Sequence, residues 1–118
     1  MVLKIAHRGF SAIAPENSLE AFRNVVKLKV DMVEFDIHKT KDNHIVVIHD
    51  DNVERTTNGK GNINDLTLGE IRNLHIKNGE PIPTLEEVIA VLKNHCGMNI
   101  EIKDEALSIP VVNIIKKE

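Results

Sequence analysis

The sequence predicts an α/β fold in which parallel strands bring their carboxyl ends to one rim of a barrel. Short apolar segments alternate along the chain with segments of helical periodicity, and this alternation implies parallel pairing through right-handed crossovers. Chemically useful side chains also recur where four predicted strands end: His7, Glu34, Asp36, His49, Glu101 and Lys103. Because strand carboxyl ends carry the chemistry of such barrels, we expect these side chains to form one active site.

The first strand is predicted over residues 2–6, just before His7, and the first helix follows a short loop. Asn17, with Glu20 three residues later, resembles a capping box, so we expect Asn17 to cap this helix. Its apolar positions recur at helical spacing: Leu19, Phe22, Val25 and Val26. The lysines within residues 27–29 suit a helix carboxyl terminus.

The second strand, predicted over 32–38, has two chemically different faces because side chains alternate along a strand. One face carries Val33, Phe35 and Ile37, and the other carries Glu34 and Asp36. His38 continues the polar face, and we expect it to lie past the strand end in solvent. A turn at Asp42-Asn43 leads into the third strand, over 45–48, which ends at His49.

The remainder of the chain is predicted to form a long loop, three helices and a fourth strand. Residues 50–66 are polar and contain glycine, which is typical of a functional loop. Helices are predicted over 67–74 and 84–94, separated by Pro81-Ile82-Pro83. The fourth strand spans 98–103, and Pro110 opens a last helix over 111–117.

Composition indicates one domain over residues 1–118 and excludes several partners. The chain is 42% hydrophobic with a net charge of −3, and only 3% of its residues are aromatic. A nucleic-acid partner is therefore not expected, because binding would need a basic face or stacking rings. No apolar run reaches the roughly 18 residues that span a bilayer. The single cysteine, Cys96, and the absence of a recognisable leader favour a cytoplasmic protein.

Seven short segments, in order, resemble the motifs of the glycerophosphodiester phosphodiesterase family. They are His7-Arg8-Gly9, Pro15-Glu16-Asn17-Ser18, Val33-Glu34-Phe35-Asp36, Val47-Ile48-His49-Asp50, Arg55-Thr56-Thr57-Asn58-Gly59-Lys60-Gly61, Ile82-Pro83-Thr84-Leu85-Glu86-Glu87 and Asn99-Ile100-Glu101-Ile102-Lys103. Any one segment is weak evidence, but seven in order at similar spacing are strong evidence. The resemblance covers nearly the whole chain.

The resemblance implies a (β/α)8 barrel of the TIM type that hydrolyses glycerophosphodiesters to glycerol 3-phosphate and an alcohol. It also implies residue roles: catalytic His7 and His49, metal ligands Glu34, Asp36 and Glu101, and phosphate-binding Arg8 and Lys103. Carboxylate oxygens suit Mg²⁺ or Ca²⁺, and two imidazoles can share acid and base duties near neutral pH. The implied partner is a small phosphodiester.

Four further residues or segments are expected to support the site. Asp50 is placed to orient His49, and Glu16 to hold either the metal site or its own loop. Asn17 is interpreted as a helix cap and not as a ligand. Residues 55–61 are expected to form a structural turn.

The length bears on assembly and function. A TIM-type barrel takes about 250 residues, so this chain supplies only about four βα units. An open half-sheet would expose its edges, which favours a homodimer or higher oligomer, although a piece of a longer protein is the alternative. A catalytically inactive half-barrel that binds metal or phosphate, or acts as an assembly unit, is the second functional hypothesis. A phospholipase D like those of spider venom is a third, disfavoured by the lack of paired cysteines.

Overall fold

The computed structural model describes the backbone of residues 5–7 and all atoms of residues 14–102. Its elements are β1 (Ile5–His7), α1 (Leu19–Leu28), β2 (Met32–Lys39), β3 (Ile45–Val47), a 3₁₀ turn (Ile63–Asp65), α2 (Leu68–Arg72), α3 (Leu85–Leu92) and β4 (Gly97–Ile102). The order of elements follows the sequence prediction. The helix predicted over 111–117 lies outside the described residues.

β2 is the centre of the sheet. Glu34 is the register partner of His7 in β1 and of Asn99 in β4, so these two strands lie on opposite edges of β2. Ile37 is likewise paired with both β3 and β4, which places β3 on the same edge as β1. Both β1 and β4 run parallel to β2, as predicted.

β3 corrects the prediction of parallel pairing, because it runs antiparallel to β2. The connection over residues 40–44 is far shorter than the dozen or so residues that a parallel crossover needs. The turn closes with the Thr40 amide donating to the His44 carbonyl at 2.8 Å, and Asn43 adopts a left-handed φ of 68°. The hairpin returns the chain towards the middle of β2.

The apolar face of β2 packs against α1 and α3 and forms the main core. Val33, Phe35 and Ile37 are all buried there, as the alternation in the sequence predicted. The rings of Phe22 and Phe35 meet edge to face, with centroids 5.5 Å apart. This burial fixes the orientation of β2 and therefore turns its other, polar face away from the helices.

A second core stabilises the segment that was predicted as a long loop. Its buried members are Val46, Ile48, Val53, Ile63, Ile71, Ile76 and Ile82. Arg72 joins this region to α3, because its guanidinium donates to both Glu87 carboxylate oxygens and to the Ile82 carbonyl. The segment is therefore a packed unit beside the sheet.

The start of α1 also differs from the prediction. Ser18, and not Asn17, is the N-cap: its hydroxyl accepts from the Ala21 amide at 3.0 Å. Asn17 instead lies just before the cap with a left-handed φ of 56°, and both polar atoms of its buried side chain lack a hydrogen-bond partner among the described residues. A capping box does occur at α3, between Thr84 and Glu87.

Candidate active site

The polar face of β2 carries Glu34, Asp36 and His38, opposite the main core. Asp36 is only 2% exposed, and its Oδ2 has no hydrogen-bond partner among the described residues. Burying a polar oxygen without a partner costs about 1–3 kcal/mol, so native structures retain it where something else engages it. Asp36 therefore marks this face as a candidate binding site.

Register places the other predicted carboxylate beside Asp36. Glu101 in β4 is the direct neighbour of Asp36, and Glu34 lies two residues away on the same face of β2. Glu101 is exposed, whereas Glu34 is half-buried. The three predicted metal ligands thus occupy adjacent positions of one sheet face, although they differ strongly in burial.

Two observations bear on the prediction that these three carboxylates bind a metal ion, and they point in opposite directions. Three oxygen-donor side chains on one face, one with an orphaned buried oxygen, fit the preference of Mg²⁺ and Ca²⁺ for carboxylates. Within residues 14–102, however, no three His, Cys, Asp or Glu side chains are gathered closely enough to hold an ion. The donor chemistry fits, but the side chains would have to converge further.

The hairpin brings β3 back along β2 and leads the chain to His49. The Ile48 amide donates to the Asp36 carbonyl at 3.1 Å, so Ile48 lies opposite Asp36 and His49 is the next residue along the chain. His38 Nε2 lies 3.1 Å from the His49 carbonyl, which can only accept, so His38 donates from Nε2. The expectation that His38 lies past the strand end in solvent is wrong: it belongs to β2 and is half-buried.

Asp50 holds the ring of His49. His49 Nδ1 lies 2.9 Å from Asp50 Oδ1. A hydrogen bond from Arg55 lowers the pKa of the Asp50 carboxyl below its ordinary 3.8, against the opposing effect of burial, and the His49 hydrogen bond adds to the lowering. Since an ionised carboxylate only accepts, Nδ1 carries the proton of this bond, and the lone pair of the neutral ring is on Nε2.

Arg55 connects Asp50 to Glu16. Its Nε and Nη2 donate to the two oxygens of Asp50 at 2.9 and 3.0 Å, and its Nη1 and Nη2 donate to the two oxygens of Glu16 at 2.8 and 2.9 Å. The hydrogen bonds from Glu16 and then Asp50 raise the pKa of the guanidinium above its ordinary value. This pair was missed from the sequence, since nothing in the spacing connects positions 39 residues apart.

A cavity of about 540 Å³ lies against the Glu16 and Arg55 ion pair. Its walls include Glu16, Arg55, Thr56, His75 and Lys77. The volume falls within the range of roughly 300–1,000 Å³ that is typical of small-molecule sites. Neither Asp36 nor His49 lines it, so it is a neighbour of the candidate site and not the site itself.

Three predicted site positions cannot be placed by their side chains. Arg8 and Lys103 lie outside the described residues, and only the backbone of His7 is described. That backbone is in register with Glu34, on the edge of β2 that also holds β3.

None of the helices within the described ranges is both long and apolar enough to cross a bilayer.

Comparison with known proteins gives one consistent result. Residues 7–118 match the model of the glycerophosphoryl diester phosphodiesterase family. The chain is 47% identical over 116 residues to a glycerophosphodiester phosphodiesterase of Caldanaerobacter subterraneus, covering 92% of this chain and 48% of that protein. The chain spans about half the length of such relatives.

Two solved structures extend the match to the fold. An Oleispira antarctica phosphodiesterase in complex with the product sn-glycerol-3-phosphate superposes with a TM-score of 0.89 at 33% identity, over 99% of this chain and 53% of that one. A Thermotoga maritima glycerophosphodiester phosphodiesterase gives 0.87 at 34% identity, over 100% and 51%. The predicted fold class, part of a TIM-type barrel, is confirmed.

Proposed function

Because the chain belongs to the glycerophosphoryl diester phosphodiesterase family, we propose that it hydrolyses glycerophosphodiesters to sn-glycerol 3-phosphate and an alcohol. The proposal is carried by two contacts that bring the His49 backbone to β2: the Ile48 amide donates to the Asp36 carbonyl, and His38 Nε2 donates to the His49 carbonyl. The product complex of the Oleispira relative supports the substrate class.

Two histidines divide the proton transfers in this proposal. One of His7 and His49 takes a proton from the attacking water as its oxygen bonds to phosphorus, and the other protonates the alcohol oxygen as its bond to phosphorus breaks. The hydrogen bond of His49 to ionised Asp50 suits either task, because it fixes which ring nitrogen holds the lone pair. Arg8 grips phosphate oxygens with its fork of donors, and Lys103 adds a point charge.

Glu34, Asp36 and Glu101 hold a Mg²⁺ or Ca²⁺ ion in the proposed enzyme. A bound ion supplies positive charge to the phosphate oxygens. The Oδ2 of Asp36 supports this assignment, because it has no hydrogen-bond partner among residues 14–102. Titration with either ion is expected to raise the melting temperature of the chain but not that of Asp36→Asn, which tests the site without any assay of activity.

Hydrolysis tests the function directly. Release of glycerol 3-phosphate from glycerophosphocholine is measured with Mg²⁺ or Ca²⁺ and again with a chelator. Turnover is expected with the ion, and it should be lost with the chelator and in His49→Ala. Turnover that is undetectable, or that His7→Ala, His49→Ala and Glu34→Ala all leave unchanged, would refute the proposal.

A non-catalytic binding module is the second candidate. It is favoured by one observation: the chain spans only about half the length of a glycerophosphodiester phosphodiesterase relative, 48% in the case of the Caldanaerobacter protein. Calorimetry that detects tight binding of the ion or of glycerol 3-phosphate, together with no turnover, would support the module. Efficient hydrolysis by the purified chain would exclude it.

The open edge of β4 motivates a homo-oligomeric assembly. Among the described strands only β2 pairs with β4, and Gly97, Asn99 and Glu101 are exposed along it. An unpaired strand edge is a ready template for another strand, so a dimer that covers it is our proposal. Light scattering that finds only a folded monomer would contradict it.

The cytoplasmic location stays a prediction, which cell fractionation would test.

A further inference from the structure

Arg55 joins two carboxylates that belong to distant parts of the chain. Glu16 lies immediately before the turn into α1, and Asp50 follows the hairpin of β2 and β3. Arg55 grips both of them with two hydrogen bonds each, at 2.8–3.0 Å. Such fork-to-carboxylate pairs are the most directional ion pairs in proteins, so both carboxylate planes are fixed relative to one guanidinium.

Asp50 is the member of this group that touches His49. Its Oδ1 is within 2.9 Å of His49 Nδ1 and within 3.0 Å of Arg55 Nη2, so one oxygen serves both partners. Rotation of the carboxylate would break the His49 contact and both Arg55 contacts together. The orientation of the His49 ring is thereby coupled to the position of Arg55.

The geometry of this group separates it from ordinary surface ion pairs. The side chains of Glu16 and Asp50 are only 16% and 22% exposed, and although the Arg55 side chain is 48% exposed, it makes two hydrogen bonds to each of them. Exposed pairs in one loose geometry contribute little, and Arg23 with Glu80 provides an example in this chain, with a single contact of 3.5 Å. Glu16 is also held by its neighbours, because Ser18 caps α1 two residues later.

We infer that Arg55 and Glu16 are positioning residues for the reaction: they hold Asp50 so that His49 keeps its proton on Nδ1 and its lone pair on Nε2. The catalytic meaning of this inference rests on the proposed function. The chain of contacts begins at the start of α1 and ends at the imidazole, so a change at Glu16 reaches His49 through two intervening side chains.

The tautomer of His49 provides the test. Nitrogen NMR of the ¹⁵N-labelled chain distinguishes a ring protonated on Nδ1 from one protonated on Nε2 at a pH where it is neutral. Wild type is expected to hold His49 in the Nδ1-protonated form. Arg55→Gln should shift the population towards Nε2 protonation, Glu16→Gln should shift it less, and the matched control Arg23→Gln should leave it unchanged.

Kinetics supply the second measurement. Arg55→Gln is expected to lower kcat about 10-fold with little change in KM, the low end of the cost of removing a residue that orients a reacting group. Arg55→Lys, which keeps the charge but loses the fork, should recover only part of the loss. Backbone amide spectra check each fold, and if Arg55→Gln unfolds, Glu16→Gln and Arg55→Lys decide the question.

The outcomes separate this inference from the proposed function. An unchanged His49 tautomer in folded Arg55 and Glu16 variants, or a shift of equal size in Arg23→Gln, would overturn the inference even if the chain hydrolyses glycerophosphodiesters. A chain that shows no hydrolysis while the tautomer still follows Arg55 would refute the proposed function and keep the coupling.

Discussion

The two edges of β2 differ in how far the candidate site is assembled. On the edge with β3, His49 is tied by Asp50, Arg55 and Glu16 into a hydrogen-bonded chain of side chains. On the edge with β4, Glu101 is exposed beside a buried Asp36 whose Oδ2 has no hydrogen-bond partner within the part of the chain that the structure describes. The difference teaches that the His49 ring is already held in one orientation, whereas the carboxylates of the proposed ion site would still have to converge.

The largest expected effect is at the organised edge. His49→Ala should lower kcat by about 10²–10⁴-fold, because it removes an acid–base group. Glu101→Gln should weaken ion binding by about 10-fold or more, by analogy with changes around metal ligands. Hydrolysis measured across Mg²⁺ or Ca²⁺ concentrations separates the two effects. A higher ion concentration should restore the activity of Glu101→Gln but not that of His49→Ala. Restoration of both, or of neither, would remove the distinction between the edges.

The apolar face that orients both edges should dominate stability. Phe35→Ala is expected to lower the free energy of unfolding by about 3–5 kcal/mol, because Phe35 is fully buried against Phe22. Urea denaturation measures the change. Leu28→Ala is the control, since Leu28 is 46% exposed and its loss should cost less than about 0.5 kcal/mol. Equal losses in the two variants would contradict this account of the core.

Asp36 is expected to lower the stability of the ion-free chain and to be required for ion binding. In a chelator, Asp36→Asn should raise the free energy of unfolding by about 1 kcal/mol, because a neutral amide costs less to bury than a carboxylate whose Oδ2 has no partner among the described residues. The same variant should lose the stabilisation that Mg²⁺ or Ca²⁺ gives to wild type. Thermal unfolding with and without the ion measures both effects. A destabilised variant in the chelator would show that Asp36 is already satisfied.

Asp50 should give the organised edge a pH dependence. Its pKa is lowered by Arg55, so its folded form binds a proton more weakly than the unfolded chain does. The stabilisation is therefore complete above the ordinary pKa of 3.8 and is lost as the pH falls below it. The advantage of wild type over Asp50→Asn, from denaturant unfolding between about pH 7 and pH 3, should shrink below about pH 4. A constant advantage would contradict the lowered pKa.

The smallest effect is expected at the open edge. Glu101→Gln should change the free energy of unfolding by less than about 0.5 kcal/mol, because the side chain is exposed. The same denaturant experiment measures it. A loss of more than about 1 kcal/mol would mean that Glu101 is engaged in the isolated chain and that the two edges are equally assembled.

The features that depend only on residues close together in the sequence, such as the two faces of a strand, could be predicted from local patterns. The alternation of Val33, Phe35 and Ile37 with Glu34 and Asp36 gave both faces of β2, because strand geometry follows directly from residue spacing. The short turn at Asp42-Asn43 is also a local signal, since so short a connection can join only antiparallel strands. The prediction of parallel pairing was wrong for β3 because it followed the overall alternation of strands and helices and not the length of this turn.

The contacts that cross long distances in the sequence could not be predicted. The Arg55 to Glu16 pair joins residues 39 positions apart, and it forms only because the hairpin and the start of α1 meet in space. Asn17 was predicted as the cap on the strength of its residue type, but Ser18 has the extended backbone that lets its hydroxyl reach the Ala21 amide. Which of two adjacent polar residues caps the helix depends on where the helix begins, and residue type alone does not fix that position to within one residue.

A crystal structure of the chain with Ca²⁺ and sn-glycerol 3-phosphate would test the central claim most directly. The account predicts the ion on the Asp36 carboxylate and the phosphate between that ion and the His49 ring. It would be contradicted if the ion and phosphate occupied a surface away from β2, or if His49 and Asp36 faced different sides of the sheet.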